Sequence, residues 1–299
     1  MSIGVVVPTW HAEHFLPYCI PPLKTAACNP RIVVIDSSSS DKTVEVARIL
    51  GVDEVDIIEQ RDFNHGVTRE RGRRLLGTDI AVMVTQDVRP LPGALDKLVE
   101  PLIRGTAAVA YGRQLPHEGA GFFEAFSRYF NYPPHSYCAD IGAFSVKGAQ
   151  LFFCSNAFAG YSSEALDGVG GFSRVLFGED TVAAAKLLRA GYNIAYVAEA
   201  MVHHSHSYTL HEEFRRHFDI GFSRKSHEEL LGLQKGDNRR GGLFAKKMLQ
   251  TLLLQKPALI PYACCHLATK WLGYHLGRCS DRAPIWVKRS LSAHPTYWQ

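Results

Sequence analysis

A chain of 299 residues, 46% hydrophobic and 21% charged, has the composition of an ordinary globular enzyme, with room for one large domain or two modest ones. A formal net charge of +4 is too small to imply a nucleic-acid partner, and seven cysteines without regular spacing fit reduced thiols better than a disulfide framework. The most apolar late stretch, Met248 to Ala268, is broken by Gln250, Gln255, Lys256, Pro257 and Pro261, and so falls short of the roughly 20 apolar residues that span a bilayer.

The first half alternates strand and helix. Ile3–Val7 reads as a first strand and not as a signal peptide, because no basic leader precedes it and Pro8 interrupts the apolar run. Arg31–Asp36 is a second strand, followed by the Ser37–Ser40 loop and a helix from about Lys42 to Leu50 that Ser40 or Asp41 can cap and Gly51 ends. Val55–Glu59 is a short third strand, Thr68–Leu76 a helix stopped by Gly77, and Ile80–Thr85 a buried strand of β-branched and small residues. Pro92–Ile103 and Ala107–Tyr111 add another helix and strand. The alternation predicts a mostly parallel, Rossmann-like sheet flanked by helices. The stretch from Arg113 to Asn156 is aromatic and irregular, suited both to core and to the wall of a sugar site. Asp180–Arg189 is a helix and Ile194–His204 a strand. Beyond about Phe222 strand signals vanish and the chain turns helical and basic. The expected division is therefore residues 1–222 as the catalytic domain and 223–299 as a helical region serving membrane association, packing or dimerisation.

Four groups of polar residues stand out. Asp87 follows a buried strand, where open α/β sheets bind ligands in the crevice beyond the strand ends. Asp36 ends the second strand before four serines and a helix start, which suits either a nucleotide or a capped turn. Glu179 and Asp180 open a helix, where the macrodipole alone favours acids, yet one of the two can face a cleft as a general base. His204 and His206 share a face of an extended segment and can bind a metal or a phosphate; more often such histidines are satisfied locally. One of them completing an Mg²⁺ or Mn²⁺ site with Asp87 and a diphosphate is the simpler metal reading. No G-x-G-x-x-G follows the first strand and no P-loop occurs.

Taken together, Val5-Val6-Val7-Pro8-Thr9, Val33-Val34-Ile35-Asp36 with Ser37–Thr43, Thr85-Gln86-Asp87, Gly170-Gly171-Phe172, Gly178-Glu179-Asp180 and the late histidines resemble glycosyltransferase family 2, inverting enzymes of the GT-A fold. Phe63–Arg69, Gly112-Arg113-Gln114 and Asn131-Tyr132-Pro133 look like its bacterial rhamnosyltransferase branch. The resemblance implies transfer of one sugar, L-rhamnose from dTDP-L-rhamnose or else a sugar from a UDP donor, to a glycan or lipid-linked oligosaccharide in O-antigen synthesis. It implies Asp180 as catalytic base. Pro8, Thr9, Asp36, Ser38, Arg69, Gln86 and Asp87 would contact the nucleotide sugar, and Asp87, His204 and His206 the metal. Thr85 departs from the pattern, standing where the first aspartate of D-x-D is expected. Arg69 or Arg113 could add positive charge at the diphosphate. The expected location is the cytoplasm, peripheral on the inner face of the cell membrane, with an anionic membrane surface and a second copy of the chain as candidate partners. The alternatives are a non-catalytic nucleotide- or glycan-binding scaffold, a sugar-phosphate nucleotidyltransferase and a histidine-based metal hydrolase.

Overall fold

Val5, Val6 and Val7 are all fully buried, which one half-exposed strand face would not allow. Val5 and Val7 join a core cluster with Leu16 and Ile20 of the first helix, while Val6 turns to the opposite side, against Gly72 of the third. The strand is central, paired on both edges and covered on both faces. The computed structural model describes residues 1–233 and 238–298, which divide into two units. One holds Met1–Arg174 and Glu179–Ser205, the other Val175–Gly178 and His206–Gln299. Residue 222, the expected end of the catalytic domain, lies inside a helix of the second unit.

The first unit runs β1 (Ile3–Thr9), α1 (Leu16–Lys24), β2 (Arg31–Asp36), α2 (Thr43–Ile49), β3 (Glu54–Ile57), α3 (His65–Leu76), β4 (Ile80–Val84), β5 (Arg89–Pro90), α4 (Ala94–Ile103) and β6 (Val109–Leu115). It continues through α5 (Phe122–Asn131), β7 (Tyr137–Ala139), α6 (Phe144–Lys147), β8 (Phe158–Ser162), α7 (Ser163–Gly168), α8 (Glu179–Arg189) and β9 (Ile194–His203). The sheet order is β3-β2-β1-β4-β8-β6-β9-β5, with β7 also paired to β9. Strands β3, β2, β1 and β4 are parallel, as are β6 and β9, in line with the strand–helix alternation. β8 enters antiparallel between β4 and β6 and makes the sheet mixed. Its sequence, Phe-Ala-Gly-Tyr-Ser, follows an irregular aromatic stretch instead of a crossover helix, so it carries little strand signal. α3 starts earlier than its periodicity suggests because the Asn64 side chain caps it, accepting from Gly66 N and Val67 N.

The second unit is helical: α9 (Leu210–Ser226), α10 (Glu228–Leu231), α11 (Asn238–Gln255), α12 (Ile260–Arg278) and α13 (Ile285–Leu291). Thr209 and Glu212 form a reciprocal capping box that fixes the start of α9. α9 and α12 approach backbone to backbone: a Cβ on Gly221, Gly273 or Gly277 would lie 2.1–2.4 Å from a carbonyl oxygen of the other helix, and only glycine permits that spacing. Between them Glu213 contacts His266 and Lys270 of α12, each at 3.1 Å. Among the described residues no helix is long and apolar enough to cross a membrane.

Candidate active site

The carboxyl ends of β1, β2 and β4 form one rim, as crevices of open α/β sheets require. Asp36, the last residue of β2, is only 1% exposed. Its Oδ1 accepts from Thr9 Oγ1 at 2.9 Å and Ser39 Oγ at 2.6 Å, and its Oδ2 from Ser39 N at 2.8 Å. Pro8 is half-buried and pairs with Ile35 in the β1–β2 register. Gln86, just past β4, clamps the β1 loop: it accepts from Trp10 N at 2.8 Å and donates to Trp10 O at 3.0 Å. Ser38 and His11 both hold positive φ, 55° and 49°, in the two loops facing this rim. Such left-handed non-glycine residues cost about 1–3 kcal/mol each and gather at functional sites. The Ser38 hydroxyl donates to Ile58 O at 2.8 Å, so the strained turn is tied down from below. Pro8, Thr9, Asp36, Ser38 and Gln86 are thus gathered at the carboxyl ends of β1, β2 and β4.

Asp87 follows on the same rim and meets His204, whose Nε2 lies 3.4 Å from Asp87 Oδ2. A bulge creates that meeting. The β6–β9 register jumps from Gly112↔Val197 to Arg113↔Met201, so Ala198–Ala200 have no counterpart and β9 is re-aimed. Gly112 allows it, since a Cβ there would lie 2.5 Å from Ala200 O. Beyond the bulge His204 N still bonds Leu115 O at 2.9 Å, and the loop that follows carries His206 two positions on. Asp87, His204 and His206 each offer a ligand atom, all within 4.8 Å of one another. One hard carboxylate and two imidazoles suit a divalent cation of intermediate softness. Thr85 bonds through its backbone to Ala157 O at 3.2 Å, and the two imidazoles beside Asp87 come from the segment that follows β9.

The acidic pair at the start of α8 divides. Glu179 is buried, 2.9 Å from the equally buried Arg69, and accepts from Asn156 Nδ2 at 3.0 Å. Burial works against its charge, yet Arg69, then His65 and Asn156, hold its carboxyl below the usual range. Asp180 is half-buried, with Oδ2 accepting from Asn156 N at 3.1 Å and Oδ1 from Thr181 N at 2.7 Å. Burial first, and then the charge of Glu179, push its carboxyl up to about 7. A carboxylate so tuned can take a proton near neutral pH. Arg69, expected among the nucleotide contacts, is 3% exposed and ion-paired with Glu179. Arg113 acts electrostatically on Tyr196 and Glu199.

Residues to which the sequence reading gave no role in the site connect the two sides. Gln114, 1% exposed, donates to Ser155 Oγ at 2.8 Å and takes bonds from Arg128 Nη1 at 2.6 Å and from His204 Nδ1 at 2.9 Å. The next residue, Asn156, holds both Glu179 and Asp180. One dipeptide, Ser155-Asn156, therefore links the Asp87–His204 pair, through Gln114, to the Glu179–Asp180 pair. Its only sequence signal is a pair of polar residues between Cys154 and the apolar start of β8.

Comparison with known proteins shows the family and the fold. The model of the family described as glycosyl transferase family 2 matches residues 4–170. The chain is 35% identical to the O-antigen chain rhamnosyltransferase RfbN of Salmonella typhimurium, over 100% of this chain and 96% of that one. It is 34% identical to the O-antigen chain rhamnosyltransferase WbaN of Salmonella anatum, over 90% and 86%. Among solved structures, a mannosyltransferase from Pyrobaculum calidifontis in complex with GDP-Man and Mn²⁺ superposes with a TM-score of 0.62 at 14% identity, covering 94% of this chain and 87% of that one. S. aureus TarS superposes with a TM-score of 0.54 at 16% identity, covering 94% and 91%. At these identities the superpositions show the shared fold.

Proposed function

The chain belongs to glycosyl transferase family 2 and is a glycosyltransferase, and from that premise we propose that it moves L-rhamnose from dTDP-L-rhamnose to a hydroxyl of a glycan or lipid-linked oligosaccharide. The observation that carries the mechanism is the division of labour between Glu179 and Asp180. Glu179 is sealed with Arg69, while Asp180 is held by two backbone N–H groups with a raised proton affinity. Asp180 takes the acceptor proton, and the acceptor oxygen attacks the anomeric carbon from the side opposite the diphosphate, which inverts its configuration. Thr9, Asp36 and Ser39 form the floor under the nucleotide, and the Gln86 clamp holds Trp10 at its edge. Asp87, His204 and His206 would hold a divalent cation, Mn²⁺ in preference to Mg²⁺ because two of the three donors are nitrogen. When bound, that cation supplies positive charge to the departing diphosphate.

The second unit supports a place for this chemistry at an anionic membrane surface. The exposed positions of α12 are Pro261, Tyr262, Cys264, Cys265, Ala268, Trp271, Leu272 and Leu276, none of them charged. Exposed Lys246, Lys247 and Lys256 precede α12 in sequence and exposed Arg282 and Arg289 follow it, and Asp281 is the one acidic residue from position 238 onward. An uncharged aromatic face with cations before and after it in the chain is the make-up of an interfacial helix, which joins apolar burial to attraction for anionic lipid.

Incubation with dTDP-rhamnose, UDP- and GDP-sugars in the presence of Mn²⁺ tests the donor assignment. The expected result is acceptor-dependent release of dTDP with inversion at the anomeric carbon, read by NMR. Preferred turnover of a UDP- or GDP-sugar, or retained configuration, would overturn it.

A further inference from the structure

Gln114 belongs to a segment, Gly112-Arg113-Gln114, whose chemical task the transfer mechanism leaves open. Its amide makes the bonds to His204, Arg128 and Ser155 described above, from β6, the loop after β9, α5 and the entry to β8. Because arginine carries donors only, the atom facing Arg128 must be the amide oxygen; the flipped amide would set N–H against N–H. That orientation fixes the next link. An oxygen already facing His204 Nδ1 can only accept, so Nδ1 must carry the proton. In a neutral ring the lone pair is then on Nε2, the atom facing Asp87. The 3.4 Å between Nε2 and Asp87 Oδ2 is longer than a direct charge-assisted hydrogen bond of about 2.7–2.9 Å.

We propose that Gln114, locked in orientation by Arg128, is a positioning residue that sets the tautomer of His204 and so turns Nε2 into a ligand for the cation beside Asp87. This rests on the reading of Asp87, His204 and His206 as a cation site. Metal-ligating imidazoles commonly donate their second nitrogen to a fixed acceptor, and loss of that acceptor weakens metal binding about 10–100-fold.

The test uses the metal-free full-length protein near pH 8. Long-range ¹⁵N–¹H NMR identifies which ring nitrogen of His204 bears the proton, the ring being assigned by its loss in His204→Gln. Mn²⁺ affinity is then measured by EPR in the presence of dTDP. Wild-type protein is expected to carry the proton on Nδ1. Gln114→Leu should move it toward Nε2 and weaken Mn²⁺ about 10–100-fold. Gln114→Glu, which keeps an acceptor, should retain the wild-type tautomer. Arg128→Leu should give a mixture and Arg128→Lys, still a pure donor, should not. These conservative variants separate orientation from mere packing. A wild-type proton on Nε2, or a Gln114→Leu variant with unchanged tautomer and Mn²⁺ affinity, would overturn the proposal. A proton on Nδ1 in a wild-type protein that takes up no Mn²⁺ would uphold the tautomer assignment and overturn the cation reading.

Discussion

Replacing Glu179 by Gln should damage the fold more than the chemistry, and replacing Asp180 by Asn should do the reverse. Arg69 and Glu179 side chains are 4% and 7% exposed and 2.9 Å apart. At an effective dielectric of about 20 that separation corresponds to an attraction on the order of 6 kcal/mol, most of it offset by desolvation. Removing one partner leaves the Arg69 guanidinium buried beside a neutral amide, and breaking such pairs costs about 3–5 kcal/mol. For a chain of this size that is a fall in melting temperature of roughly 10 °C. The same change removes the charge that helps to raise the Asp180 carboxyl, so the acid limb of kcat/KM should move to lower pH. Asp180→Asn discards no ion-pair partner, but its amide must set an N–H against one of the two backbone N–H groups, so it should melt lower than wild type by less than Glu179→Gln does; it cannot accept a proton, so transfer should fall about 10²–10⁴-fold with donor binding retained. Thermal denaturation and initial rates across pH measure both. Near-normal transfer by Asp180→Asn, or a collapse of transfer in a well-folded Glu179→Gln, would show that the base has been misplaced.

Wild-type kcat/KM should fall about tenfold per pH unit below about 7 and level off above it, because the raised Asp180 carboxyl works only when ionised; a flat profile between pH 5.5 and 8 would remove it from the role. Asp36→Ala breaks a buried, charge-assisted floor and should weaken dTDP binding about tenfold or more in calorimetry, with unchanged affinity rejecting Asp36 as part of the pocket. Chelation with EDTA should suppress transfer and Mn²⁺ should restore it in wild type but not in Asp87→Ala; full activity in EDTA would rule out a cation role for the Asp87 cluster. Full-length protein should float with anionic liposomes at low salt and less so when Trp271 and Leu272 become Ser; flotation that ignores these residues, or a stable dimer without lipid binding, would reassign the α12 face.

The parallel half of the fold is legible in the sequence because each strand there is an apolar run that a helix separates from the next, so local pattern and global topology agree. Asp36, Asp87 and Asp180 are legible as candidates because each stands at the end of a buried element, although a capped turn accounts for the first and a helix start for the last just as well. β8 is not legible, since its partners lie far away in sequence and its five residues include a glycine. Gln114, Ser155, Asn156 and Arg128 are hidden for a different reason. Each is an ordinary polar residue, and only the bulge after Gly112 and the antiparallel entry of β8 bring them to one place. Long-range juxtaposition leaves no local periodicity to read. The ion pair of Arg69 with the buried Glu179 is equally invisible in the sequence, where the two stand 110 positions apart.

The hydrogen bond from Gln114 to Ser155 also ties together the two ends of the aromatic segment between them, which runs from the end of β6 to the start of β8 and touches the sheet on the way through β7. A segment whose ends are already pinned pays little for a change in its length, since closure entropy grows only with the logarithm of the number of residues. Between residues 116 and 153 the chain can therefore change length only in the stretches between its own fixed points, Arg128 at Gln114 and β7 against β9, so variation to fit another acceptor is confined to those loops while the Gln114–Ser155 clasp stays closed.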